Sequence, residues 1–123
     1  MNEPKFVLFY VEDPAASTAF YVDLLGRQPI ESSPNFAMFA LESGFNLGLW
    51  SRHKAEPSPT VTGGGGEIGF FVADADTVLA TCADWRARGL PIVQEPTEMD
   101  FGHTFVALDP DGHRLRVMSP SGT

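Results

Sequence analysis

A chain of 123 residues that is 43% hydrophobic and 20% charged has the length of one domain and a composition that excludes extended disorder. Its net charge of −8 repels phosphate backbones and excludes nucleic acid as a partner; the plain meaning of that charge is a solvated surface. The single cysteine, Cys82, cannot close an internal disulfide, and no apolar run approaches the roughly 18 residues of a membrane span. The N-terminal segment Met1-Asn2-Glu3-Pro4-Lys5 has neither the basic start nor the long apolar stretch of a signal peptide, so the expected location is the cytoplasm.

The run Phe6 to Val11 is aromatic and β-branched and stops at Glu12-Asp13-Pro14, which predicts a buried strand. Asp13 and Pro14 are a helix start, with Asp as N-cap and Pro at the first helical position. Ala16, Ala19, Phe20 and Leu24 fall at helical spacing, and Gly26 is the expected C-cap. Three short strands follow, at Gln28 to Glu31, Phe36 to Leu41 and Phe45 to Trp50, separated by turn-forming Ser, Pro, Asn and Gly residues. Residues 52–66, with Pro57, Pro59 and the run Gly63 to Gly66, have no apolar periodicity and predict a flexible linker. The glycines lack the Lys-Ser/Thr ending of a phosphate loop.

The pattern then repeats. Ile68 to Val72 predicts a strand, and Asp74 caps a helix carrying Val78, Leu79, Cys82 and Trp85 to Gly89. In that apolar setting, without basic neighbours, Cys82 reads as a core residue and not as an activated thiolate. Strands follow at Pro91 to Gln94, Thr104 to Leu108 and His113 to Met118. Asp109-Pro110-Asp111-Gly112 is a strong turn between the last two. Val11 and Asp13 recur as Val72 and Asp74, an offset of 61 residues. The fold class is therefore α+β. A single domain, 1–123, contains two βαβββ modules (4–51 and 67–119) joined by the linker 52–66. Each module exposes one apolar sheet face, so the two are expected to pair into a curled mixed sheet around a cleft.

This duplicated frame, with Phe20-Tyr21-Val22-Asp23-Leu24-Leu25-Gly26 on the first helix and Phe105-Val106-Ala107-Leu108-Asp109-Pro110-Asp111-Gly112-His113 near the end, resembles the vicinal-oxygen-chelate superfamily of glyoxalases, bleomycin-resistance proteins and extradiol dioxygenases. The stretches Gly48-Leu49-Trp50-Ser51 and Glu95 to Phe105 look like phenazine-antibiotic resistance proteins, which bind planar aromatic compounds without chemistry. The resemblance places the superfamily's four metal-ligand positions at Phe6, Gly48, Glu67 and Arg116. Phe6 and Gly48 offer no ligand atom, and Arg116 carries a fixed positive charge. No metal, no other cofactor and no catalytic residue is expected. The resemblance also implies a homodimer.

Strand parity extends these positions to a face. Phe6, Leu8 and Tyr10 share it on the first strand, with Asn46, Gly48 and Trp50 on the fourth. Glu67, Gly69 and Phe71 share it on the fifth, with Arg114, Arg116 and Met118 on the last. The opposite parity is uniformly apolar and is expected under the helices. The candidate ligand-binding residues are thus Trp50, Tyr10, Phe71, Phe6, Gly48, Asn46, Glu67, Arg116, Arg114 and, at a strand start, His103. The aromatic rings suit offset stacking on a flat ligand. Gly48 and Gly69 leave room for a broad one. Arg116 is expected to meet either a ligand anion or Glu67 across the cleft. At several positions a structural role competes: Trp50 sealing a dimer, Tyr10 and Phe71 packing, Glu67 and Arg116 as an ion pair. The expected function is metal-free sequestration of a planar aromatic molecule, of the antibiotic-resistance type that the resemblance implies. The alternatives are a metal-dependent lyase or dioxygenase, and a cofactor-free enzyme with Glu67 as general base.

Overall fold

A computed structural model describes residues 3–120. Met1 and Asn2, which open the N-terminal segment considered above, and residues 121–123 lie outside the described residues. The chain divides between Gly63 and Gly64 into two compact units, and each is a βαβββ module.

The first module runs β1 (Phe6–Val11), α1 (Pro14–Leu25), β2 (Glu31–Ser32), β3 (Phe36–Ala40) and β4 (Asn46–Ser51). Its sheet has the order β1-β4-β3-β2. β1 and β4 are parallel, while β3 is antiparallel to both of its neighbours. Asp13 caps α1 by accepting from the backbone N–H groups of Ala15 and Ala16, and Gly26 ends it in the left-handed conformation at φ 67°, where a side chain would be strained. The helix does not bury Ala16 and Ala19, which are exposed. It buries Pro14, Ser17 and Tyr21, a stripe one residue round from the expected one. Tyr21 packs edge-on against Phe39 with centroids 6.4 Å apart. The most apolar stripe is not the docked one because the ring of Tyr21 brings more buried area than an alanine pair does.

β2 begins later than expected, at Glu31. Pro29 has no N–H to give a ladder, so pairing starts only with the Ile30 N–H, which donates to Met38 O at 2.8 Å. The segment after β4 is anchored, contrary to the flexible linker expected from residue 52 onward. The Arg52 N–H donates to Val11 O, Lys54 and Ala55 donate back to Ser51 O, and Ala55 is 2% exposed.

The second module repeats the order with β5 (Glu67–Phe71), α2 (Ala75–Ala87), β6 (Ile92–Met99), β7 (Gly102–Leu108) and β8 (Arg114–Pro120), and its sheet runs β5-β8-β7-β6. Asp74 caps α2 through the Thr77 N–H. Val78, Cys82 and Trp85 are its buried residues; Leu79 is exposed. Trp85 stands edge-on to both Phe70 and Phe105, each 5.4 Å away. Arg86, one turn beyond Cys82, reaches 3.9 Å from its sulfur, a basic neighbour the sequence reading does not count. Burial nonetheless pushes the Cys82 thiol up, away from thiolate.

β6 is twice the expected length. Register shifts on either side of Gln94 let the strand carry Pro96, which cannot donate to a ladder, and continue to Met99. The turn before β8 is locked by Asp109, which accepts from the backbone N–H groups of Asp111 and His113 and lies 2.8 Å from His113 Nδ1. Both residues are buried, so His113 holds a turn. No helix among the described residues is long and apolar enough to cross a membrane.

Candidate functional site

In each module one sheet face packs on the helix and the other does not. Phe39 against Tyr21 marks the helix side of the first sheet; Phe70 and Phe105 against Trp85 mark it in the second. Strand registers then assign the remaining residues.

On the first module's open face, Phe6 pairs with Asn46, Leu8 with Gly48 and Tyr10 with Trp50. Phe36, Met38 and Ala40 join them across β4, which places Met38, unassignable by parity alone. The face is uncharged apart from its edges. Gly48 does not provide the open space expected of it. A Cβ there would meet Leu8 Cδ1 at 2.9 Å and Phe6 Cε1 at 3.0 Å, so neighbours from β1 already fill the room. Gly69, on the second module, has nothing within 4 Å.

The second module's open face is polar and connected. Arg116 Nε donates to Glu67 Oε1 at 2.6 Å and its Nη2 to Oε2 at 3.0 Å, a bidentate pair. Arg116 Nη1 donates to Gln94 Oε1 at 3.1 Å and to Thr104 Oγ1 at 3.0 Å. Thr104 is fully buried and its hydroxyl donates a hydrogen bond to Val117 O. The guanidinium also lies 5.7 Å from the Phe101 ring centroid, within cation–π range. Gln94 completes the set by donating from Nε2 to Met99 Sδ at 3.4 Å. Glu67 and Arg116 therefore meet side by side on one sheet, from adjacent strands.

These contacts floor a cavity of about 350 Å³ lined by Gln94, Met99, Phe101, Val106, Arg114 and Arg116, with Val93. Such a volume lies in the range of roughly 300–1,000 Å³ typical of small-molecule sites. Arg116, chiefly through its hydrogen bonds, holds the Glu67 carboxyl below the usual carboxylate range, against the opposing effect of partial burial. A general base needs the reverse shift.

The expected residues thus fall into two groups and one exception. Phe6, Tyr10, Asn46, Gly48 and Trp50 share the first module's open face. Glu67, Phe71, Arg114 and Arg116 share the second's. His103 pairs with Ser119 on the helix side, where it lines a separate cavity of about 200 Å³ with Val78 and Leu79 of α2 and Glu98. The turn 109–112 holds the signal for this: it sets Leu108 opposite Arg114 and so puts Thr104 and Val106, not His103, beside Arg116. Gln94, Met99 and Phe101 carry no such signal, because the irregularity around Pro96 breaks the count.

Among the described residues no three His, Cys, Asp or Glu side chains gather as a metal site. Phe6 and Gly48 have no donor atom, and both oxygens of Glu67 accept from Arg116. The side chains at these positions do not make a donor set for a divalent cation.

The family model of the Glyoxalase/Bleomycin resistance protein/Dioxygenase superfamily matches residues 4–117. A phenazine antibiotic resistance protein, EhpR of Enterobacter agglomerans, is 28% identical over 117 residues, 93% of this chain and 89% of that one. A protein of Agrobacterium tumefaciens solved by NMR superposes with a TM-score of 0.91 at 52% identity, covering 99% of this chain and 100% of that one. A glyoxalase-related enzyme from Fulvimarina pelagi shares the fold, with a TM-score of 0.82 at 19% identity over 97% of this chain and 88% of that one.

Proposed function

This chain belongs to the glyoxalase/bleomycin resistance protein/dioxygenase superfamily, and on that premise we propose that it binds and sequesters a planar aromatic small molecule, without metal and without chemistry, as an antibiotic-resistance binder does. The observation that carries this reading is the second module's open face. There Arg116, fixed by Glu67, Gln94 and Thr104, presents a flat guanidinium beside the Phe101 ring, next to a cavity of about 350 Å³. A planar cation held in place beside an exposed ring suits stacking on a flat ligand. The relative from Enterobacter agglomerans, by its name, acts in phenazine resistance, which favours the same ligand class here. Phe71 lies on the same open face, and Trp50 and Tyr10 give the first module's own open face an aromatic surface of the same kind.

Sequestration fits better than catalysis because the strongest candidate base, Glu67, is held ionised as the partner of Arg116. Work as a homodimer in the cytoplasm belongs to the same reading; light scattering on the purified protein checks the dimer. The direct test is a thermal-shift screen of flat aromatic compounds with and without divalent metals. A ligand at 100 times its dissociation constant stabilises by about 2.7 kcal/mol. The expected result is a shift with tricyclic aromatics, indifferent to chelators and reduced by Phe101→Ala. A stoichiometric divalent ion at Glu67, or a ligand shift that vanishes with a chelator, overturns the metal-free reading.

A further inference from the structure

On the helix side of the second module, α2, β6 and β7 border the cavity of about 200 Å³ that His103 lines. Val78, Leu79 and Pro96 form its apolar walls, and Thr97, Glu98 and His103 supply its polar groups. A cavity of about 150 Å³ is enough for benzene, so this one accepts a body of roughly six to eight heavy atoms and not a tricyclic ring system. The polar groups belong to a cross-strand row. Glu98 pairs with His103 across β6 and β7, and His103 with Ser119 across β7 and β8. An acid, an imidazole and a hydroxyl in series suggest nucleophilic catalysis, but burial runs the wrong way along them. Glu98 is exposed, His103 half-buried and Ser119 fully buried. A nucleophile must be reached by its substrate, so the row is a binding surface.

The charge at this cavity is negative and uncompensated. The second module has no lysine, and its arginines are Arg86, Arg88, Arg114 and Arg116. All of them face other acids. Arg86 donates to Glu95 at 2.6 Å, and Arg88 lies 3.1 Å from Asp84. Arg114 and Arg116 meet Glu67 on the opposite face of the sheet, at 3.7 and 2.6 Å. Among the described residues of this module no arginine is left for Glu98. Thr97 donates its hydroxyl proton to Glu95 O at 2.6 Å, which leaves its oxygen free to accept.

We propose that this cavity is a second small-molecule site and that it takes a small primary amine, with the apolar body between α2 and Pro96 and the ammonium group against Glu98. The three N–H donors of an ammonium match three acceptors, the Glu98 carboxylate, Thr97 Oγ1 and an imidazole nitrogen of His103. Burial of the apolar body supplies affinity. The charge-assisted hydrogen bond to Glu98 supplies selectivity for the amine over a neutral compound of the same shape. The cavity shares no lining residue with the one beside Arg116, so this site stands whether or not aromatics bind there.

The test follows the backbone amides of the isotope-labelled full chain by NMR during titration with 3-methylbutylamine and with its neutral counterpart, 3-methylbutan-1-ol, at neutral pH and fixed ionic strength. The amine is expected to shift the amides of residues 75–79, 97, 98 and 103, and to bind at least about tenfold more tightly than the alcohol. Glu98→Gln is expected to bring that ratio close to one and to leave the thermal midpoint of the free chain unchanged, because Glu98 is exposed. Leu79→Ala, which trims an exposed wall, is expected to weaken both probes about threefold and to preserve the ratio. Equal affinity of the wild type for the two probes overturns the assignment of an amine. A ratio that survives Glu98→Gln overturns the role of Glu98. Shifts confined to other amides, or no saturable shift at all, overturn the site.

Discussion

The two modules share a frame and differ on the face turned away from their helices. In both, a parallel strand pair frames a helix crossover, an aspartate caps that helix, and the helix side buries aromatic rings: Tyr21 with Phe39 in one, Trp85 with Phe70 and Phe105 in the other. On the open side the first module presents Phe6, Tyr10, Trp50 and Met38, and a glycine whose space is taken by its neighbours. The second presents a polar network centred on Arg116, with a glycine left open. The helix side must close a core, so its composition is held to apolar residues of fitting shape. The open side is free of that demand, and there the copies have separated into an aromatic surface and a charged one.

The comparison is broken or sharpened first at the cores, where the largest effects lie. Phe39 and Phe105 are both fully buried, and truncation of either to alanine is expected to cost about 3–5 kcal/mol in denaturant unfolding. A loss confined to one of the two would mean that the modules do not share the load of stability equally.

A smaller effect is expected at the open faces. Arg116→Met strands Glu67 and Gln94 without their partner and is expected to cost about 2 kcal/mol. Phe101→Ala, on the same face, is expected to weaken aromatic-ligand binding about tenfold by loss of stacking. If Arg116→Met leaves the denaturation midpoint unchanged, the network contributes nothing to the fold.

The glycines separate the faces more finely. Gly48→Ala pushes on the ends of Leu8 and Phe6 and is expected to cost about 1 kcal/mol, since those side-chain tips can give. Gly69→Ala meets nothing and is expected to be neutral or slightly stabilising, because alanine loses less backbone freedom on folding. Equal effects at both would show that the first module's face is as open as the second's.

The smallest effect is in pH. The folded-state pKa of Glu67 is depressed, so its pairing contributes stability that is full above the ordinary glutamate value of about 4.3 and is lost as pH falls through the lower folded value. Glu67→Gln should flatten the acid side of the stability profile by about 1 kcal/mol or less, given the exposure of the pair. No change in that limb would mean that the ion pair is not held in solution.

Much of this was legible in order along the chain. The duplication, both Asp caps, the Gly26 stop, the locked turn at 109–112 and the alternation of strand faces all rest on a residue and its near neighbours. The placement of His103 was legible in principle, through the turn that sets the β7–β8 register, although its position at a strand start suggested otherwise. The stripe on α1 was not, because burial of Ser17 and Tyr21 depends on which ring of β3 the helix meets. The site shows the same division. Local sequence determined which residues of β1, β4, β5 and β8 share a face, since side chains alternate with a period of two on any strand. Only the tertiary structure decided that β6 bulges past Pro96 to bring Gln94, Met99 and Phe101 to that face. It alone decided that Arg116 is satisfied there while Arg114 is not. Hydrogen-bond partners are chosen by distance in space, and strand register across a bulge has no counterpart in the spacing of residues along the chain.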